Sequence, residues 1–348
     1  MDLIILALSF VLILAGAELF TNGIEWFGRK LGLAEGAVGS VLAAVGTALP
    51  ETMIPIIAIA FSNGADTSGI GVGAILGAPF MLATLAMFVT GAAVMWQARR
   101  RTTGDVLIVD VGVLGLDMRT FVFAYAIAIG AALLPVDPTW PKLVVAAGLV
   151  LIYGMYVKRH FDADPDVDLE DLAPLRFHRL DPQHRRDSKT PRLRVVNIQV
   201  IAALAFIVIG AIEFVGAVEH VAHTLGVSEV LLALIVAPIA TELPEKFNSI
   251  IWVRQGKDTL AMGNITGAMV FQASLPTVVA LVLVPHEWVI GPGSYVAFAS
   301  AGIAFLSAAA IFIPMIRRGR LTGRGLLVGG LFYIAYVAIV IAAIVTGG

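Results

Sequence analysis

Ten stretches of this sequence are long and apolar enough to cross a lipid bilayer, and they constrain the chain more tightly than any motif in it. A transmembrane helix needs roughly 20 predominantly apolar residues. The qualifying segments run over 3–27, 35–61, 67–97, 119–134, 139–157, 195–220, 227–253, 259–284, 292–316 and 325–346. Lipid offers backbone amides no partner, so each segment has to satisfy its own hydrogen bonds as a helix. The expected fold class is an all-α polytopic membrane protein. Composition agrees, with 59% of the 348 residues apolar and 14% charged, against about 25% charged in a soluble domain. A soluble enzyme is excluded. The formal charge of −2 leaves no basic field for a nucleic-acid partner, and the lack of cysteine removes disulfides, thiolate metal sites and cysteine nucleophiles. The first segment opens Met1-Asp2-Leu3 without a basic leader, so it reads as a retained span rather than a cleaved signal.

The bases test this count of spans. Arg29 and Lys30; Arg99, Arg100, Arg101 and Arg119; nine bases from Lys158 to Arg194; Arg254 and Lys257; and Arg317, Arg318, Arg320 and Arg324 all fall in alternate loops. They are 21 of the 23 bases, leaving Lys142 on the other side and Lys246 inside a span. Positive residues mark the cytoplasmic side. Both termini are therefore expected outside, the membrane is expected to be the plasma membrane, and 158–194 is expected to form a cytoplasmic loop. That loop runs from acidic (Asp162, Asp164, Asp166, Asp168, Glu170, Asp171) to basic (Arg185, Arg186, Lys189, Arg192, Arg194). An EF-hand would need Gly and Glu where a count from Asp162 finds Val167 and Ala173, so the loop reads as a solvated tether.

The loop divides the chain into halves, 1–157 and 195–348, of five spans each. A shift of 194 residues aligns 16–51 with 210–245 without a gap, and about a third of the positions are identical. Gly16 meets Gly210, Phe20 meets Phe214, Glu25 meets Glu219 and Glu35 meets Glu229. The strongest block is Thr47-Ala48-Leu49-Pro50-Glu51 against Thr241-Glu242-Leu243-Pro244-Glu245. A shift of 190 pairs Gly73 and Gly77 with Gly263 and Gly267. Five is odd, so the two copies must cross the membrane in opposite senses. Inverted repeats of this kind build many secondary transporters, with the site at the midplane between them.

Each copy buries a carboxylate within an apolar helix, at about 2.5–3.5 kcal/mol on insertion scales. Pro50 and Pro244 lack an amide hydrogen and release the carbonyls of Gly46 and Ala240. Freed carbonyls beside a carboxylate and a threonine hydroxyl form an oxygen pocket suited to hard cations such as Ca²⁺ or Na⁺. The four glycines are expected to bring the third and eighth spans together around it. Lys246, beside Glu245, either serves as a tethered cation or turns away to pair with Glu213 or Glu18.

These residues resemble the sodium/calcium exchanger family of the calcium/cation antiporter superfamily, over nearly the whole chain. Members carry a Gly-Thr-Ser-x-Pro-Glu helix followed by a Gly-Asn-x-x-Gly-Ser-Asn-type helix in each repeat. Here the first motif reads Gly46-Thr47-Ala48-Leu49-Pro50-Glu51 and Ala240-Thr241-Glu242-Leu243-Pro244-Glu245, with the exchanger regions at about 35–97 and 227–284. The resemblance implies ten helices in two inverted five-helix repeats, with Glu51 and Glu245 as principal cation ligands. Thr47 and Thr241 stand beside them, and the first and sixth helices slide across the core. Departures fall on the remaining ligands. Ala48 and Glu242 replace the motif serines, and the third helix has Ala74, Ala78, Pro79 and Leu82 at polar positions. The eighth helix keeps Asn264 but has Ala268 and Met269, with Gln272 one turn further on. The second repeat thus offers Glu242, Glu245, Asn264 and Gln272, and the first mainly Glu51 and Thr47.

The expected activity is secondary cation antiport, moving Ca²⁺ or another cation against Na⁺ or H⁺ by alternating access. Two desolvated carboxylates repel, so protons or a cation can neutralise them in turn. The expected partners are inorganic cations and the lipid bilayer, with no obligate protein partner and no cofactor beyond the transported ions. A non-transporting ion sensor or structural relative is the alternative. A lipid-phosphate hydrolase is disfavoured because phosphate chemistry wants buried bases, and no Arg lies in the interior of a predicted span, Arg119 marking the edge of the fourth.

Overall fold

The computed structural model describes residues 2–48, 52, 65–163, 172–180, 191–224, 243–291 and 294–346. They form ten helices of more than ten residues. In chain order these are α1 (Asp2–Leu31), α2 (Ala37–Thr47, opening with a π turn at Ala37–Ala43) and α3 (Ala65–Met81, continuing through a π turn at Leu82–Ala86 into Met87–Gln97). Then follow α4 (Val111–Gly130), α5 (Trp140–Phe161), α6 (Leu193–Thr224), α7 (Leu243–Gln255), α8 (Asp258–Leu283), α9 (Tyr295–Arg318) and α10 (Gly323–Thr346). Two-residue strands β1 (Val106–Leu107) and β2 (Leu321–Thr322) pair antiparallel, Val106 opposite Thr322. Eight helices are long and apolar enough to cross a membrane, so the chain is a multi-pass integral membrane protein. Only parts of the second and seventh spans fall within the described residues, as α2 and α7.

One boundary is corrected. The fourth span was expected from residue 119, but α4 starts at Val111, where the Asp110 carboxylate caps it by accepting the amides of Gly112 (2.7 Å) and Val113 (3.1 Å). Asp117 and Arg119 therefore lie inside the helix, and Arg119 is not a loop base. The sequence reading moved the start past both charges because lipid penalises them; the fold instead buries Asp117 among polar side chains and leaves Arg119 exposed.

Helix α8 has no charged residue after Asp258 and carries apolar residues on every face, the pattern of a helix enclosed by others. It is buried along most of its length, with α2, α3, α4, α5 and α7 packed around it. Helices α1 and α6 lie against one another along their length. Their contact is reciprocal. A Cβ built on Gly16 would stand 2.9 Å from Ile207 Cγ1 and 3.1 Å from the Ala203 oxygen. One on Gly210 would stand 2.8 Å from Ile13 Cγ1 and 3.1 Å from the Ser9 oxygen. Adding the 194-residue offset to Gly16, Ile13 and Ser9 gives Gly210, Ile207 and Ala203. A contact that maps onto itself in this way belongs to a two-fold relation between the halves.

The base-rich ends of the helices are tied together by ion pairs. Arg101, following α3, grips Asp258 at the start of α8 with both guanidinium nitrogens (2.9 and 2.5 Å), and the Ile108 amide donates to the same carboxylate at 2.8 Å. Glu25 on α1 accepts from Trp252 Nε1 (2.7 Å) and pairs with Lys257. At the opposite end, the Lys142 ammonium donates to the carbonyls of Pro285 (2.6 Å) and Trp288 (3.0 Å). Residues 172–180 lie along α1 and α6. Trp26 Nε1 donates to the Ala173 carbonyl at 2.9 Å, and Arg176 reaches Glu18 at 2.8 Å.

Candidate cation site

Helix α2 meets α8 at backbone distance. A Cβ added to Gly263 would lie 2.8 Å from the Ser40 hydroxyl, and one on Gly267 would lie 1.9 Å from the Ser40 carbonyl oxygen. No side chain fits there. The glycines were expected to join the third and eighth helices, and this is corrected. Gly263 and Gly267 admit α2, whereas a Cβ on Gly73 or Gly77 of α3 meets nothing within 4 Å among the described residues. The π turn of α2 supports this approach. The Ala44 amide reaches back to Gly39, and the Ser40 carbonyl accepts from the Tyr156 hydroxyl at 3.0 Å.

The contact brings together two of the expected ligands. The Thr47 hydroxyl lies 3.2 Å from Asn264 Oδ1 and 3.0 Å from the Ala43 carbonyl, and both side chains are fully buried. One hydroxyl proton serves one of these acceptors at a time, so lone pairs remain on adjacent oxygens from the two repeats. Gln272, also buried, follows Asn264 by eight residues, or about 12 Å along α8. Pro276, inside the same helix, has no amide hydrogen to offer the Gln272 carbonyl. Oxygen donors are thus spread along α8. Gly46 has a packing role as well: a Cβ there would lie 2.7 Å from Phe20 of α1 and 3.3 Å from Leu204 of α6.

Glu51, Ala240, Thr241 and Glu242 lie outside the described residues, and of Glu245 only the backbone, in α7, is described. Lys246 is buried, while Glu18 is exposed and held by Arg176, and Glu213 is exposed. The segment 164–171 of the acidic loop also lies outside the described residues.

Sequence reasoning missed a second polar cluster beside this site. Asp117 of α4 is 0% exposed. Its Oδ2 accepts from Ser40 (2.8 Å) and Thr266 (2.5 Å), and its Oδ1 accepts from Tyr156 (3.0 Å) and lies 2.9 Å from His160 Nε2. Three elements besides α4 converge on one carboxylate. The available signal was an Asp within an otherwise apolar run after the helix-capping Asp110.

A model of the sodium/calcium exchanger protein family matches residues 1–159 and 196–345. The putative antiporter CaxA of Alkalimonas amylolytica is 24% identical over 288 residues, 81% of each chain. An uncharacterized membrane protein of Methanocaldococcus jannaschii is 21% identical over 263 residues, 75% of each chain. Among solved structures, the sodium-calcium exchanger NCX_Mj soaked with 100 mM Na⁺ and 10 mM Sr²⁺ matches with a TM-score of 0.70 and 16% identity over 97% of both chains. At that identity the likeness is one of fold. The family match takes in both five-helix halves, with their close α1–α6 and α2–α8 contacts, and omits the charged loop between them. This chain belongs to the sodium/calcium exchanger protein family.

Proposed function

We propose that this cation antiporter exchanges Ca²⁺ or another cation for Na⁺ or H⁺, by alternating access around Glu51, Glu245, Thr47 and Asn264. The observation that carries the reading is the buried Thr47–Asn264 pair. It joins an oxygen from the motif helix of the first repeat to one from the eighth helix of the second. Thr241, Glu242, Gln272 and the carbonyls of Gly46 and Ala240 complete the ligand set in this reading. The reciprocal α1–α6 contact supports sliding of that pair as a unit, because an isoleucine of each helix seats against a glycine of the other and Gln199 of α6 donates to the Leu19 carbonyl of α1 at 2.9 Å. The base-rich ends, including Arg101, Lys257 and Arg317, face the cytoplasm by the positive-inside rule, with both termini outside.

Reconstitution into liposomes with Na⁺, Ca²⁺, K⁺, Mn²⁺ and pH gradients imposed separately tests the reading. Uptake of one cation driven by a gradient of another is expected. A protein stabilised by cations yet moving none would instead be an ion sensor, a reading favoured by Ala48 and Leu82, which are apolar and buried at positions that are polar in the exchanger motif.

A further inference from the structure

The Asp117 cluster is outside the exchanger motif, yet it touches both helices that hold the Thr47–Asn264 pair. Ser40 stands two turns before Thr47 on α2, and Thr266 is two residues beyond Asn264 on α8. Four side chains surround the two oxygens of Asp117; the single hydroxyl protons of Tyr156 and Thr266 each have a second acceptor in reach, the carbonyls of Ser40 and Met262, both at 3.0 Å. A carboxylate has about four lone-pair positions, enough to receive all four side chains. One proton bridges Asp117 Oδ1 and His160 Nε2, which lie 2.9 Å apart. The other ring nitrogen faces α2, since a Cβ on Gly36 would lie 3.0 Å from His160 Nδ1. A further proton taken up by the pair would remove one negative charge beside the two helices of the cation site, which Asp117 contacts through Ser40 and Thr266.

We propose that Asp117 and His160 form a proton-binding pair that positions α2 and α8 for cation exchange, Asp117 holding both helices through Ser40 and Thr266. The inference rests on the antiporter reading for its consequence, and on this cluster alone for its existence. Asp117 is a positioning residue, and the proton is a regulator of the site rather than its cargo. In a low-dielectric interior, a change of one charge alters how firmly the two hydroxyls are held. The arrangement explains why a membrane-spanning helix carries a buried Asp, a residue that is costly in a membrane without such a role. Tyr156 is the other titratable side chain in contact with the pair among the described residues, and its ring meets His160 edge-on with centroids 4.7 Å apart. The charged side chains on the surrounding elements are Glu35 ahead of α2, Asp110 and Arg119 on α4, Lys142, Lys158 and Arg159 on α5, and Asp258, held by Arg101, on α8.

The test compares wild type with His160→Gln, Asp117→Asn and Glu35→Gln as purified, reconstituted protein. Glutamine keeps an N–H near the position of Nε2 but takes no second proton. Isotopic Ca²⁺ self-exchange is measured with equal pH on both sides, from about 5 to 8, the range in which histidine titrates. His160→Gln is expected to remove one ionisation from the rate profile while the half-saturating Ca²⁺ concentration stays within about twofold, and Asp117→Asn to lower the maximal rate by about tenfold or more. Glu35→Gln is expected to leave that ionisation in place. Independently of flux, the difference in melting temperature between wild type and His160→Gln is expected to vary across the same pH range. A constant difference, together with an unchanged rate profile, overturns the proposal. If wild type exchanges no Ca²⁺, the melting comparison alone decides the pair, and the gradient panel alone decides the antiporter reading.

Discussion

At Gly267 one missing carbon decides whether two core helices can meet. Gly267→Ala would place its Cβ 1.9 Å from a backbone oxygen of α2, which cannot move aside as a flexible side chain could. A loss of about 1–3 kcal/mol is expected, seen as a lower melting temperature in detergent, whereas Gly148→Ala, with nothing within 4 Å, is expected to be neutral. Glu35 makes a pH-dependent prediction. Burial pushes its carboxyl above the ordinary value of 4.5; Lys257 opposes the rise, and Glu25 and Asp110 add to it. A carboxyl raised in this way costs the folded state stability at neutral pH, and that cost vanishes as the pH falls through the raised value toward 4.5. Glu35→Gln should therefore raise the melting temperature at pH 7, with a gain that shrinks in acid; an equal gain at all pH values would contradict this. Individual residues were unevenly legible in the sequence. Thr47 and Asn264 stood out because a motif and a repeat flagged them. Asp117, Ser40, Tyr156, His160 and Thr266 did not, because their partnership spans four elements and no short-range pattern records it.

Element boundaries followed from hydropathy except where a charge is buried. The other described helices lie close to their expected spans, but α4 starts eight residues early because Asp117 is satisfied by donors from α2, α5 and α8. Hydropathy counts each residue as if it faced lipid. The π turns in α2 and α3 were equally hidden, since they arise from close helix contacts rather than from composition. The Arg101–Asp258 grip ties the end of α3 to the start of α8, with both partners largely buried. Removing one partner leaves the other charge uncompensated, so Arg101→Ala is expected to cost about 3–5 kcal/mol. Adding Asp258→Asn to Arg101→Ala should recover part of that loss, measured as melting temperature in a double-mutant cycle. Strict additivity would show that the two side chains do not act as a pair.

For the whole molecule, the 194-residue offset made the two-fold relation readable before any coordinates, because the same offset that aligns the motifs also relates the α1–α6 contacts. What the offset could not convey is the asymmetry. The first repeat supplies the Asp117 cluster through α4 and α5, while the equivalent α9 places Ser307 against the Ala83 carbonyl at 2.6 Å. In the proposed scheme the two halves divide the work, with cation oxygens weighted toward the second and the Asp117–His160 pair on α4 and α5 of the first. The central claim is that paired motif carboxylates carry the exchanged cation. Its most direct test is cation-gradient-driven flux in liposomes for wild type, Glu51→Gln and Glu245→Gln. The account predicts that each substitution reduces exchange by about 100-fold or more while the protein remains folded. Undiminished exchange in both variants would contradict it.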